Sequence, residues 1–159
     1  MAWGSPQPSL QGRNVVMIML VGPVGAGKTS LINVLNKSCR KAEKTSSICF
    51  SDGAIDTPGE YAQIPRFYSA LAVTATNAEI VLMVQDATDF RIALPPGFAA
   101  MFPRPVVGVV TKIDAPGANQ EDAKLRLFQA GIKEPFFCVS AYTGAGLAEL
   151  TDYLVRKEV

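Results

Sequence analysis

Eight consecutive residues, Gly22-Pro23-Val24-Gly25-Ala26-Gly27-Lys28-Thr29, carry the spacing G-x-x-x-x-G-K-[ST], and that spacing has a definite chemistry. The glycines let successive backbone N–H groups turn inward around phosphate oxygens. A helix starting at the end of the loop aims the positive end of its dipole at the same oxygens. The Lys28 ammonium then bridges the outer phosphates, and the Thr29 hydroxyl is suited to hold Mg²⁺. Gly22, Val24, Gly25, Ala26, Gly27, Lys28, Thr29 and the adjoining Ser30 are therefore candidate phosphate-binding residues, with Lys28 also the candidate catalytic cation.

Three more segments place polar groups where apolar runs end. Asp56-Thr57-Pro58-Gly59 follows Ala54-Ile55, so the Asp56 carboxylate leaves the sheet where a magnesium-bound phosphate would lie. Asp56 is a candidate metal-holding group, acting through water, and Gly59 can bring its N–H close to a terminal phosphate because it has no Cβ. An ordinary Pro-Gly turn is the competing reading. Thr111-Lys112-Ile113-Asp114 closes another apolar run. Asp114 can accept from the N1–H and the exocyclic amino group of guanine, two donors that adenine lacks there. Thr111, Lys112 and Asp114 are thus the candidate base-recognition residues. Ser140-Ala141-Tyr142 would complete the pocket through backbone N–H groups and the Ser140 hydroxyl, or else the SAYTGAG stretch is a turn into the last helix with Thr143 as its cap.

These segments can meet only if the strand ends share one edge of a sheet. Val15–Val21 is a continuous apolar run, as in a strand buried on both faces. Helical spacing of Leu31, Val34 and Leu35 predicts a helix from Lys28 to about Ser38 and Cys39. Ser46–Phe50 and Ala54–Ile55 suggest a hairpin around Ser51-Asp52-Gly53. Ile64–Thr76 reads as a helix, Ile80–Gln85 as a strand, Phe98–Phe102 as a short helix after Pro95-Pro96-Gly97, and Pro105–Val110 as a strand. Asn119–Ala130 reads as a helix with Leu125 and Leu127 inward, Phe136–Val139 as a strand, and Ala145–Lys157 as the closing helix. The alternation predicts an α/β fold of three αβα layers, a mostly parallel six-stranded sheet with helices on both faces, and a ligand at the carboxyl ends of the strands.

The composition narrows the function classes. Hydrophobic residues make up 48% of 159 and charged residues 18%, as suits one compact domain rather than a disordered chain. Residues 1–13 read as a flexible tail and 14–159 as the nucleotide-binding domain. Fifteen basic and fourteen acidic residues with no basic run argue against nucleic acid as the main partner. Cys39, Cys49 and Cys138 form no close-spaced pair, and the chain has no histidine, which disfavours a structural zinc site and fits reduced thiols in a cytoplasm. The longest apolar run is well short of the roughly 18 residues that span a bilayer, and the first residues lack the features of a secretory signal.

The four motifs in this order resemble the TRAFAC-type GTPase domain, with its Ras-like architecture. The wording of GPVGAGKTSL, KTSSICF, IDTPGEY, RFYSAL and GVVTKIDAP is similar to the ethanolamine and propanediol utilisation family, EutP/PduV, from about Val15 to the C-terminus. The resemblance implies a cytoplasmic bacterial protein that binds GTP or GDP with Mg²⁺ and is linked to catabolic microcompartments, where a shell protein is a candidate partner. It also implies Thr45, with Ser46 and Ser47 as competitors, as the switch threonine that completes the magnesium shell and assists catalysis.

Against that pattern three residues depart. Thr111 stands where most GTPases have an asparagine that ties the base loop to the phosphate loop, so a looser pocket is expected, by about one hydrogen bond or ~0.5–1.5 kcal/mol. Glu60 stands where many small GTPases have a water-orienting glutamine, and a carboxylate cannot donate to the phosphoryl group; it is the remaining candidate catalytic residue, with a solvated turn residue as the alternative. Val24 puts a branched side chain where Ras-like proteins often have Gly or Asn, crowding the terminal phosphate and an incoming arginine. The expected activity is slow GTP hydrolysis. Two rivals stand beside it: a P-loop kinase passing the γ-phosphoryl group of ATP to a small acceptor such as a carboxylate, and a nucleotide-stabilised scaffold using Phe67 and Tyr68 against a shell protein. A kinase lid would cluster arginines near the phosphates, and Arg66, Arg91 and Arg104 are dispersed along the chain.

Overall fold

The computed structural model describes residues 17–42, 54–90 and 94–158. Strand β1, Ile18–Val21, is buried along its whole length, as its unbroken apolar sequence requires. The phosphate loop follows and runs into helix α1, Lys28–Ala42. Strand β2, Ala54–Asp56, leads into the short helix α2, Gly59–Gln63. A 3-10 turn at Pro65–Phe67 then precedes helix α3, Tyr68–Ala75. Strand β3, Ile80–Asp86, is buried at every residue. A 3-10 turn at Phe98–Met101 precedes strand β4, Val106–Thr111. Helix α4, Gln120–Gln129, strand β5, Phe136–Cys138, and helix α5, Leu147–Glu158, complete the chain.

All strand pairs are parallel, in the order β2-β1-β3-β4-β5. The register sets Leu20 beside Asp56, and Asp86 beside Thr111. Every chemistry-bearing strand end therefore emerges on one edge. Side chains alternate between two cores. Met19, Val21, Val81 and Met83 face Leu71 and Ala75 of α3 and Ala123 and Leu127 of α4. Ile18, Leu20, Leu82 and Val84 face Leu31 and Leu35 of α1 and Leu150 and Leu154 of α5. Because both faces are covered, the sheet is held in position by packing that is independent of the loops at its edge. The architecture is the three-layer αβα arrangement of a Ras-like G domain.

Among the described residues the sheet has five strands rather than six, the expected strand Ser46–Phe50 lying outside them. The expected tail, residues 1–13, and Arg91 also lie outside. The single helix expected over Ile64–Thr76 is divided: Ile64 is extended, Pro65 opens the 3-10 turn, as its fixed φ and missing N–H allow, and α3 begins only at Tyr68. Leu125 is not inward: it is 52% exposed, whereas Leu127 is fully buried. Residues two apart on a helix point to opposite sides, so the pair cannot share a face. Asn119 caps α4, its side chain accepting from the Asp122 N–H at 3.0 Å. No helix among the described residues is long and apolar enough to cross a membrane.

Candidate functional site

The phosphate loop is held open by its backbone and by one buried cation. Gly25 and Gly27 take φ of 84° and 94°, values that L side chains rarely adopt, so both positions need glycine. Lys28 is buried and donates to the carbonyls of Gly22 at 2.8 Å and Pro23 at 3.0 Å. Burial pushes its ammonium below the ordinary lysine range, opposed by the negative charges of Asp56 and Glu60. The Thr29 hydroxyl donates to the Asp56 carboxylate at 2.6 Å, which brings together the two metal-holding groups expected from separate motifs. Thr57 is tied to the Leu20 carbonyl at 2.7 Å, fixing the segment that carries Asp56 and Gly59. A Cβ on Gly59 would overlap the Val24 backbone, so only glycine lets this segment approach the loop. Val24, Gly25, Lys28, Thr29, Asp56, Gly59 and Glu60 all line a cavity of about 380 Å³.

A second cavity, about 500 Å³, adjoins the first through the loop and is lined by Gly27, Ser30, Thr111, Lys112, Asp114, Ala141 and Tyr142 among others. The Asp114 carboxylate at its mouth accepts from the fully buried Ser140 hydroxyl at 2.7 Å, across 26 residues. Ser140 also accepts from the Thr143 N–H at 3.0 Å. The hydroxyl thereby joins the last strand end to the candidate base-recognition carboxylate. Thr143 caps no helix: its hydroxyl accepts from the Ala145 N–H within the turn, and α5 begins later, at Leu147.

Residues 15–156 match the family described as "Ethanolamine utilisation - propanediol utilisation". The chain belongs to that family. In keeping with this, it is 37% identical over 139 residues, 86% of its own length and 87% of the relative's, to a protein of Escherichia coli (strain K12) named "Probable acetate kinase EutP". It is 38% identical over 142 residues, 89% of this chain and 94% of the relative, to "Propanediol utilization protein PduV" of Citrobacter freundii. Its fold is similar to that of the FeoB G-domain from Methanococcus jannaschii, with a TM-score of 0.59 at 19% identity over 91% of this chain and 98% of that one.

In this member of the utilisation family the Thr111 substitution does not cost the tie between the loops. The Thr111 hydroxyl donates to the Ala26 carbonyl at 2.6 Å, 85 residues away. A hydroxyl is shorter than a carboxamide, but the fully parallel register brings the end of β4 close enough for it to reach. Lys112 adds a second tie, donating to the Gly25 carbonyl at 2.8 Å. The expected loosening of the pocket is therefore corrected.

Two residues of this region have no counterpart among the motif candidates. Asp86, at the end of β3, pairs with Lys112 at 2.9 Å. Its other oxygen accepts from the Thr88 N–H and hydroxyl, each at 2.7 Å. Lys112 itself takes a left-handed backbone conformation, φ 61°. An aspartate ending an apolar run was the available signal. Gln63, the last residue of α2, contacts the phosphate loop directly, and nothing in its local sequence marks it.

Thr45 lies outside the described residues. Glu60 lies in the first turn of α2 and is exposed. Phe67 stacks on Tyr61 at 4.4 Å between ring centroids, and Tyr68 packs against Phe98 at 5.0 Å, so both rings have partners within the chain. Arg66 lies over the Phe67 ring and Arg104 donates to the Thr76 carbonyl at 2.9 Å. Among the described residues no arginine lines the phosphate cavity.

Proposed function

We propose that the chain is a Mg²⁺-dependent GTP-binding protein that hydrolyses GTP slowly and acts in the cytoplasm, on or beside a catabolic microcompartment with a shell protein as partner. The observation that carries the reading is the Asp114 carboxylate, held by Ser140 at the mouth of a cavity large enough for a purine and contiguous with the phosphate loop. A carboxylate there accepts two hydrogen bonds from guanine and none from adenine. Gly22 to Ser30 cradle the phosphates, Lys28 neutralises the outer ones, and Ala141 and Tyr142 close the base site.

Thr29 and Asp56 offer hard oxygen donors already in contact with each other, a set that fits Mg²⁺, whose other ligands are phosphate and water oxygens; Thr45 is the further candidate. When bound, the ion would neutralise charge on the phosphates. Glu60 can accept a hydrogen bond from a water at the terminal phosphate but cannot donate to the phosphoryl oxygens. Val24 narrows that end of the cavity, and among the described residues Lys28 is the one cationic side chain that lines it, with no arginine to share the developing charge. Slow turnover follows.

A second reading is favoured by the Escherichia coli relative's name: transfer of the γ-phosphoryl group to acetate, giving acetyl phosphate. Calorimetric titration with GTP, GDP and ATP in Mg²⁺, followed by incubation of the preferred triphosphate with and without acetate, separates the two. GTP preference with phosphate release independent of acetate is the expected result. ATP preference with acetyl phosphate formation would replace the GTPase reading by the kinase.

A further inference from the structure

The Val24 N–H, in the middle of the phosphate loop, already has a partner. It donates to the Gln63 Oε1 at 3.1 Å, across 39 residues. Gln63 closes α2, and the residue that opens α2, Gly59, presses on Val24 so closely that a Cβ would overlap its nitrogen and Cα and stand 2.7 Å from its Cγ2. Both ends of this five-residue helix therefore bear on the same residue of the loop. Gln63 is itself exposed, so its carboxamide can leave without opening the core.

The position of Val24 gives the contact its meaning. Gly27, near the start of α1, lines the base cavity, whereas Val24 lines the phosphate cavity together with Gly59 and Glu60. Along the loop, Val24 is thus on the side away from the base cavity and facing Gly59 and Glu60, where the nucleotide reading above puts the terminal phosphate. We infer that Gln63 is a specificity-determining residue that sets the preference between nucleoside triphosphate and diphosphate. A terminal phosphate oxygen reaching the Val24 N–H must displace the Gln63 carboxamide. A diphosphate, held by Lys28 and the N–H groups at the start of α1, leaves that bond in place. The inference rests on the nucleotide reading above and adds to it a residue that discriminates by phosphate number.

Two variants carry the test, with a non-hydrolysable GTP analogue and GDP titrated calorimetrically in Mg²⁺ and thermal melts confirming the fold. Gln63→Ala removes the competing acceptor and should raise affinity for the analogue relative to GDP by roughly three- to tenfold, the worth of one neutral hydrogen bond. Gln63→Glu keeps an acceptor for Val24 and adds a negative charge facing the terminal phosphate, so the same ratio should fall by a similar factor or more. A ratio that stays constant or falls in Gln63→Ala, or that fails to fall in Gln63→Glu, overturns the assignment while leaving nucleotide binding intact. A parent protein that binds neither ligand overturns the nucleotide reading, and this inference with it.

Discussion

The two halves of the site are built on opposite principles. In the phosphate half three groups have neighbours that, on the proposed reading, a ligand would replace: Lys28 has the Gly22 and Pro23 carbonyls, Thr29 has Asp56, and the Val24 N–H has Gln63. In the base half the contacts are ones a ligand would keep. Ser140 aims Asp114, Asp86 aims Lys112, and Thr111 anchors β4 to the phosphate loop through Ala26. On the proposed reading the first half exchanges internal partners for phosphate oxygens. The second offers a fixed pattern of acceptors, and discrimination between bases depends on that fixity, because a rigid acceptor cannot turn to suit the wrong donor.

The contrast predicts the largest loss where an exchangeable charge is removed. Lys28→Ala deletes the one cation buried against the loop among the described residues, and triphosphate affinity should fall by at least ~100-fold, the order expected from two charge-assisted hydrogen bonds. The fold should survive, since the lysine's partners are two loop carbonyls and no core residue. Circular dichroism checks folding and calorimetry the affinity; unchanged GTP affinity in the folded variant would remove the phosphate assignment.

Next in size comes the fixed half. Asp114→Asn replaces an acceptor oxygen with an NH₂ donor that meets the guanine amino group, at a cost of ~2–4 kcal/mol for GTP. The carbonyl of xanthine at that position finds a partner instead, so preference should swing towards XTP. Competition of GTP, XTP and ATP against a fluorescent nucleotide measures the order. If ATP wins on the parent and the substitution leaves the order unchanged, the base half does not read guanine.

Why some of this was legible in the sequence and some was not follows from the range of the contacts. The phosphate loop is contiguous, and its function lies in backbone N–H groups that glycine spacing alone can expose. The buried strands show as mainly apolar runs, because burial on both faces admits a polar residue only where it finds a partner, as at the ends of β3 and β4. Gln63 is different. Its role comes from a meeting 39 residues away, and an exposed glutamine at a helix end has no pattern of its own. Asp86 reaches Lys112 only because β3 and β4 pair in register. The misjudged effect of Thr111 has the same origin: residue type told what was missing from a familiar motif, while the distance from the end of β4 to Ala26 decided whether it mattered.

Thr111 therefore provides a sharper test of the fixed half. Thr111→Val keeps the shape and deletes the hydroxyl, leaving the Ala26 carbonyl without its side-chain donor, at a cost of about 1–3 kcal/mol. For a domain of this size each kcal/mol lowers Tm by roughly 2–4 °C. Nucleotide affinity should fall as well, since the two halves lose one of their connections. A variant with the parent's Tm and affinity would mean that Lys112 alone joins the loops.

The smallest effect is confined to alkaline pH and tests the exchangeable half without mutation. The Lys28 ammonium in the folded, unliganded protein titrates below the usual 10.5, because burial outweighs the attraction of Asp56 and Glu60. In the window between that lowered value and 10.5 the unfolded chain binds more protons than the folded one. Stability of the free protein should accordingly rise with pH across this window, by at most one proton's worth, about 1.4 kcal/mol per pH unit. Triphosphate affinity should move the other way. A neutral amine no longer neutralises phosphate charge, so binding in this range takes up a proton and weakens by up to about tenfold per pH unit. Denaturant titrations and calorimetry in buffers of differing ionisation enthalpy, compared with Lys28→Ala, isolate this group from other lysines. If stability and affinity changed in the same direction as Lys28 titrates, its ammonium would be structural, and the distinction between an exchangeable and a fixed half would fail at its central residue.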